Sequence, residues 1–212
     1  MIRWVQESIR RVRSRKATWA VLGAVSLAAF GAAPCTAPED SWRLVLEIPG
    51  TPGPEVIATR IMDRFLESHN VRLQPEMRAT IAQAVAEQSR RHGIRPGILL
   101  SVILAESSFR TDAVSDKGAV GLMQILPSTA QAIAAEMDLA WKDDAHLTDP
   151  RLNIALGSYY LRRLLEIYKG DLHLALAAYN MGPGKLQTLL AAAPEASARF
   201  SSSYSRSIVA RL

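Results

Sequence analysis

Residues 94–129 read IRPGILLSVILAESSFRTDAVSDKGAVGLMQILPST, and this stretch decides the fold. An apolar run of Ile98, Leu99, Leu100, Val102, Ile103, Leu104 and Ala105 leads directly into the carboxylate of Glu106. Pro96 stands where a first-turn proline is tolerated, and Gly118 and Gly121 follow the run, so the stretch reads as a short buried helix opening into a loop. Glu106 then lies at the C-terminal end of that helix. Desolvation and the negative end of the helix dipole both disfavour its ionised form, so its pKa is expected to be raised. A carboxyl that keeps its proton near neutral pH can donate it to a leaving oxygen.

Outward from this stretch the helical signals are nearly continuous. They predict helices over Val56–Ser68, Pro75–His92, Pro96–Ser107, Ser128–Met137, Pro150–Tyr168, Leu172–Asn180, Gly184–Ala192 and Glu195–Leu212. Gly93 fits a position just past a helix end, and Asp149 before Pro150 and Asp171 before Leu172 fit N-caps. Leu152, Leu156, Tyr159, Tyr160, Leu164, Ile167 and Tyr168 recur at helical spacing and read mainly as a core stripe. The expected fold is mainly α, a compact domain of short helices, with room for a small β-hairpin between Arg110 and Leu126. The groove is expected beside Glu106.

The chain has 212 residues and a formal charge of +5. That excess is local: Arg3, Arg10, Arg11, Arg13, Arg15 and Lys16 face only Glu7 in the first sixteen residues, and the remainder is balanced. A basic surface for nucleic acid is therefore not expected. Residues 17–33 carry no charge and directly follow the basic segment, the layout of a secretory signal or an N-terminal membrane anchor. The positive-inside rule puts everything downstream across the inner membrane, in the periplasm or cell envelope. Cys35, the only cysteine, excludes an internal disulfide framework; the preceding Ala32-Ala33-Pro34 departs from a lipoprotein signal. Residues 34–55 are rich in Pro and Gly and read as a tether, with one apolar alternation from Trp42 to Ile48. The organisation expected is signal or anchor (1–33), linker (34–55), accessory helix (56–74) and a globular domain (75–212). The four histidines lack ligand spacing, so no metal or other cofactor is expected.

The domain resembles the soluble lytic transglycosylase (SLT) family, lysozyme-like enzymes that cleave bacterial peptidoglycan. The resemblance rests on Glu106-Ser107-Ser108-Phe109, on Ala113-Val114-Ser115, and on Gly118-Ala119-Val120-Gly121-Leu122-Met123-Gln124-Ile125 followed by Pro127-Ser128-Thr129-Ala130. It continues through Asp149-Pro150 with Asn153-Ile154, Gly157 with Tyr160-Leu161, and Ala178-Tyr179-Asn180 with Gly182-Pro183-Gly184. It implies a lysozyme-like fold and one catalytic carboxyl, Glu106, where ordinary glycosidases use two. In such enzymes the Glu protonates the MurNAc–GlcNAc β-1,4 oxygen. It then takes the proton of the C6 hydroxyl of the same MurNAc, which attacks C1 and leaves a 1,6-anhydroMurNAc end.

The same resemblance assigns Gln124 to the N-acetyl group and Ser115 and Tyr179 to substrate hydrogen bonds. Tyr160, Met123 against a sugar face, Asn180 and Tyr204 complete the expected substrate-binding set. Ser107 is able to bond the Glu106 side chain or cap the helix. Family members often carry a Glu-Thr-Arg-x-Tyr segment; here Tyr204 keeps the aromatic, but Phe200 stands where the Glu should be. Expected partners are peptidoglycan strands and, through the N-terminal segment, the inner membrane; the chain is expected as a monomer. Two alternatives are a lysozyme-like muramidase using Asp112 or Asp116 to activate water, and a non-catalytic wall-binding subunit of an envelope-spanning system.

Overall fold

The computed structural model describes residues 54–141, 143–192 and 202–212. The proposed signal or anchor, Cys35, most of the tether and Phe200 lie outside these residues. Among the described residues no helix is long and apolar enough to cross a membrane.

Eight α-helices follow one another: α1 (Pro54–Ser68), α2 (Pro75–His92), α3 (Pro96–Ser107), α4 (Pro127–Glu136), α5 (Pro150–Ile167), α6 (Leu172–Met181), α7 (Pro183–Ala192) and α8 (Ser203–Val209). Among the described residues one 3-10 turn, Asp144–Thr148, precedes α5. Most bounds agree with the sequence signals because those signals are physical stops; of the helix expected over Glu195–Leu212, the described residues hold only Ser203–Val209, because the Ser202 hydroxyl caps its start by accepting from the Ser205 amide. A proline opens most of the helices, where its missing N–H costs nothing. Asp149 caps α5 by accepting from the Leu152 amide at 2.8 Å, and Asp171 caps α6 by accepting from Leu174 at 2.9 Å. Gly93 ends α2 in the left-handed region at φ 68°, its amide donating to the Ser89 carbonyl.

Helix α3 is the axis of the domain. Ile98, Leu99, Leu100, Ser101, Val102 and Ile103 are all buried, so over these residues no face is left for water, and α1, α2 and α8 pack around the helix. Helix α5 crosses α2 and carries α4 and α6, and α6 in turn supports α7 and α8. Helix α1, expected as an accessory, shares the common core through Met62, Phe65 and Leu66, and Pro49–Leu212 forms one compact unit. The small hairpin expected between Arg110 and Leu126 is reduced to two isolated antiparallel bridges, Val114 with Val120 and Val120 with Ile125. Val120 bridges to both sides, so the chain reverses too often for a strand to extend.

Candidate active site

Glu106 occupies the last turn of α3, which stops because Ser108 and Phe109 both turn left-handed, at φ 52° and 63°. Left-handed backbone costs a non-glycine residue roughly 1–2 kcal/mol. Burial of the Phe109 side chain, 3% exposed, offsets about 2–3 kcal/mol of this. The Ser108 amide donates to the Leu104 carbonyl at 3.1 Å. Ser107 does not reach Glu106: its hydroxyl folds back onto the Ile103 carbonyl at 3.1 Å. Its own carbonyl accepts from the amide and Nε of Arg110, at 3.1 and 3.2 Å.

The Glu106 carboxyl is half-buried, and burial raises its pKa; the Tyr204 hydroxyl opposes that rise by donating to Oε1 at 2.6 Å. Among the described residues no charged group adds to these two causes. The Tyr204 phenol is itself driven far up, first by burial and then by the Glu106 charge, so it remains a donor throughout the physiological range. Tyr179 is raised well above its ordinary value by burial, then by the charge of Glu106 and by Tyr160. Its hydroxyl donates to the Met123 carbonyl at 2.8 Å. The Tyr160 ring lies 5.4 Å from that of Tyr179, and burial, then Tyr168, pushes its phenol up to about 12. Glu106, Tyr160, Tyr179 and Tyr204, drawn from α3, α5, α6 and α8, therefore form one cluster.

The opposite wall is the 110–126 loop. Ser115 is exposed, and its Oγ accepts from the Ala119 amide at 3.0 Å, which leaves its hydroxyl proton for a ligand. Gln124, at φ 50°, points its amide nitrogen at two carbonyls, Ala113 at 2.9 Å and Gly121 at 3.0 Å. Two acceptors demand the NH2 end there, so the orientation of the amide follows. Both amide protons are used within the loop, and only Oε1 is left for a ligand.

Met123 is a clear correction. Its side chain is fully buried beneath Gly157, where a β-carbon would come within 2.7 Å of the Met123 Cβ, and it offers nothing to a sugar. The exposed large apolar side chains of this wall are Val114, 67% exposed, and Leu126, 36% exposed. Asn180 is exposed in the last turn of α6 and is not the cap; Gly182 is, its amide donating to the Ala178 carbonyl.

Sequence reasoning placed Asn153 in the match of Asp149-Pro150 with Asn153-Ile154 but gave it no role. It is 0% exposed, its Oδ1 accepts from the Met123 amide at 2.7 Å, and its Nδ2 donates to the carbonyls of Val120 and Leu147, both at 2.9 Å. It bolts the loop to α5. Gly121, at φ 83°, must lack a β-carbon because one would overlap the Asn153 amide and the Leu147 carbonyl. An Asn just inside a helix, three residues after a Pro, was the available signal. Asp112 and Asp116 are exposed. Among the described residues no group of three or more His, Cys, Asp or Glu is placed to hold a metal.

A family model described as the transglycosylase SLT domain matches residues 83–200. The membrane-bound lytic murein transglycosylase C of Cronobacter sakazakii is 32% identical over 111 residues, 48% of this chain and 31% of that protein. The protein of the same name from Actinobacillus pleuropneumoniae is 35% identical over 109 residues, 47% of this chain and 30% of its own length. The chain thus spans about three-tenths of the relatives it matches. Among solved structures, the 70 kDa soluble lytic transglycosylase of Escherichia coli superposes with a TM-score of 0.54 at 22% identity, covering 74% of this chain and 28% of that one. At that identity the likeness is one of fold.

Proposed function

The chain belongs to the transglycosylase SLT domain family, and from that premise we propose that it is a peptidoglycan lytic transglycosylase with Glu106 as its one catalytic carboxyl. The observation that carries this reading is the pairing of burial with the 2.6 Å Tyr204 bond on Glu106, with no second charge among the described residues acting on it. The reaction asks two opposite things of one group. As an acid, Glu106 must hold a proton to give to the glycosidic oxygen, and burial favours that form. As a base, it must stand as a carboxylate while it takes the proton of the MurNAc C6 hydroxyl, and the Tyr204 donor favours that form. The hydroxyl attacks C1 of its own sugar, so no activated water and no second carboxylate are needed.

The rest of the pocket serves to hold the glycan. The free Oε1 of Gln124 accepts from the N-acetyl amide, and Ser115 donates from the loop. Tyr160 and Tyr179 supply aromatic edges, with Tyr204 beside the acid and Asn180 at the open end of α6. Val114 and Leu126 take the sugar-face role first expected of Met123. Residues 1–33 act as export signal or anchor and 34–55 as tether, which sets the catalytic unit in the periplasm or envelope; the membrane-bound relatives support this placement.

The deciding experiment digests purified peptidoglycan with the full-length protein and weighs the fragments. Ends in 1,6-anhydroMurNAc, one water lighter than hydrolysed ends, are expected, with Asp112→Asn and Asp116→Asn keeping most of the activity. Predominantly reducing-end MurNAc would move the assignment to a muramidase, and binding without any cleavage would move it to a wall-binding subunit.

A further inference from the structure

The turn that sets Glu106 depends on a helix outside the family-matched segment 83–200. Two successive non-glycine residues in the left-handed region, Ser108 and Phe109, persist only when their surroundings over-determine them. One constraint is local, the double donation of Arg110 to the Ser107 carbonyl. The other comes from α1. The Phe109 ring packs edge-on against Phe65 with centroids 6.3 Å apart and planes at 63°, the geometry favoured by the ring quadrupoles.

Phe65 is 7% exposed and bracketed on its far side by His69, whose ring stacks on it at 4.3 Å and 23°. The His69 ring is fixed in turn, its Nδ1 lying 2.9 Å from both the Phe65 carbonyl and the Ser68 hydroxyl. A row of three rings therefore runs from the rim of α1 to the turn behind the acid. The Ser108 amide bond to the Leu104 carbonyl and the Arg110 bonds to the Ser107 carbonyl tie the turn to α3; the Phe65 contact ties it to α1.

We propose that Phe65 is a positioning residue for the reaction, holding the Ser108–Phe109 turn and thereby the angle at which the Glu106 carboxyl meets Tyr204 and the glycan. This rests on the reading of Glu106 as the acid. Without the Phe65 ring, Phe109 loses one wall of its socket and the last turn of α3 is free to relax toward ordinary helix, carrying the carboxyl off Tyr204. The glycan wall is untouched, because Ser115, Gln124, Tyr160 and Tyr179 stand on the loop, α5 and α6. Chemistry should suffer and binding should not.

The test uses the full-length protein with Phe65→Ala, Phe65→Leu and a control, Leu66→Ala, a buried neighbour on the same helix that points about 100° away. Per folded molecule, Phe65→Ala is expected to lose at least about tenfold in kcat, because misplacement of a catalytic group by an ångström is that costly. KM should stay within about twofold, and the pH–rate limb of Glu106 should move. Phe65→Leu should recover part of the rate, and Leu66→Ala should lose stability without moving the limb.

If Phe65→Ala does not fold, Phe65→Leu and Phe109→Leu form a double-mutant cycle, in which non-additive losses in kcat are expected. Unchanged kcat in Phe65→Ala, additive losses in the cycle, or an equal limb shift in Leu66→Ala would overturn the proposal. A carbon-13 titration of the Glu106 carboxyl reads its position without turnover: a moved midpoint in Phe65→Leu, absent in Leu66→Ala, is expected. Failure of the transglycosylase reading shows differently, as a parent protein that releases no 1,6-anhydro product or a Glu106→Gln variant that still does.

Discussion

Replacing Asn153 by Ala strips three backbone groups of a partner in a place water does not reach. The losses are unequal. The Val120 carbonyl still accepts from the Ile125 amide at 3.1 Å, so its second bond is a minor loss. The Met123 amide and the Leu147 carbonyl are left bare, and a deserted buried polar group costs about 1–3 kcal/mol. Two such groups sum to about 2–6 kcal/mol, a large part of the 5–15 kcal/mol that holds a typical domain together. Asn153→Asp should be no milder: it keeps the acceptor for Met123 but turns a second oxygen toward two carbonyls. Urea denaturation with linear extrapolation checks this, the expected result being a lower midpoint with an unchanged slope. Activity should fall faster than the folded fraction, since Gln124 and the Met123 carbonyl that anchors Tyr179 both ride on the loosened loop. A loss below about 1 kcal/mol, or a tolerated Asp, would refute the reasoning.

The other predictions follow from the acid and its surroundings. Glu106→Gln should fold, bind glycan and release no product. Because burial raises the parent carboxyl, the folded state holds that proton to higher pH than the unfolded state, so parent stability declines as pH rises through the interval between the two values. The Gln variant escapes this decline, and urea midpoints should therefore separate on the alkaline side and coincide on the acid side. Tyr204→Phe removes the bond that lowers the Glu106 pKa; the carboxyl rises further, and the limb of kcat/KM where it loses its proton should move to higher pH with a reduced plateau. A limb that stays put or moves down would contradict the assignment. Gly157→Ala gains about 1 kcal/mol of helix propensity but drives a methyl onto the Met123 Cβ. A net loss of roughly 1–3 kcal/mol is expected from thermal melts; in the Gly157→Ala, Met123→Ala pair, which removes the Met123 Sδ and Cε but keeps its Cβ, only partial recovery is expected.

The helices were legible because their ends are written in single residues: Pro75, Pro96, Pro127 and Pro150 at the starts, Asp149 and Asp171 as caps, Gly93 as a stop. Glu106 was legible as well, since an apolar run ending in a carboxylate implies burial of that carboxylate. What the sequence concealed depends on partners far along the chain. Met123 looked like a groove residue until Gly157 emptied a socket for it under the loop. The Gln124 amide could be oriented only once the Ala113 and Gly121 carbonyls converged on it. Helix α1 carries none of the family's motifs, and its part in the core follows from packing alone.

The Tyr204 to Glu106 bond closes a loop of 98 residues. Closure of so long a loop is entropically unfavourable until the segments between are folded and bring its ends together. The donor therefore reaches the carboxyl only after the 110–126 wall and α4 to α7 have found their places. Before that moment Glu106 is an ordinary solvated carboxylate with its usual affinity for protons. A chain caught part-way, during synthesis or after proteolytic nicking of α8, carries every motif residue but lacks the Tyr204 donor on its carboxyl.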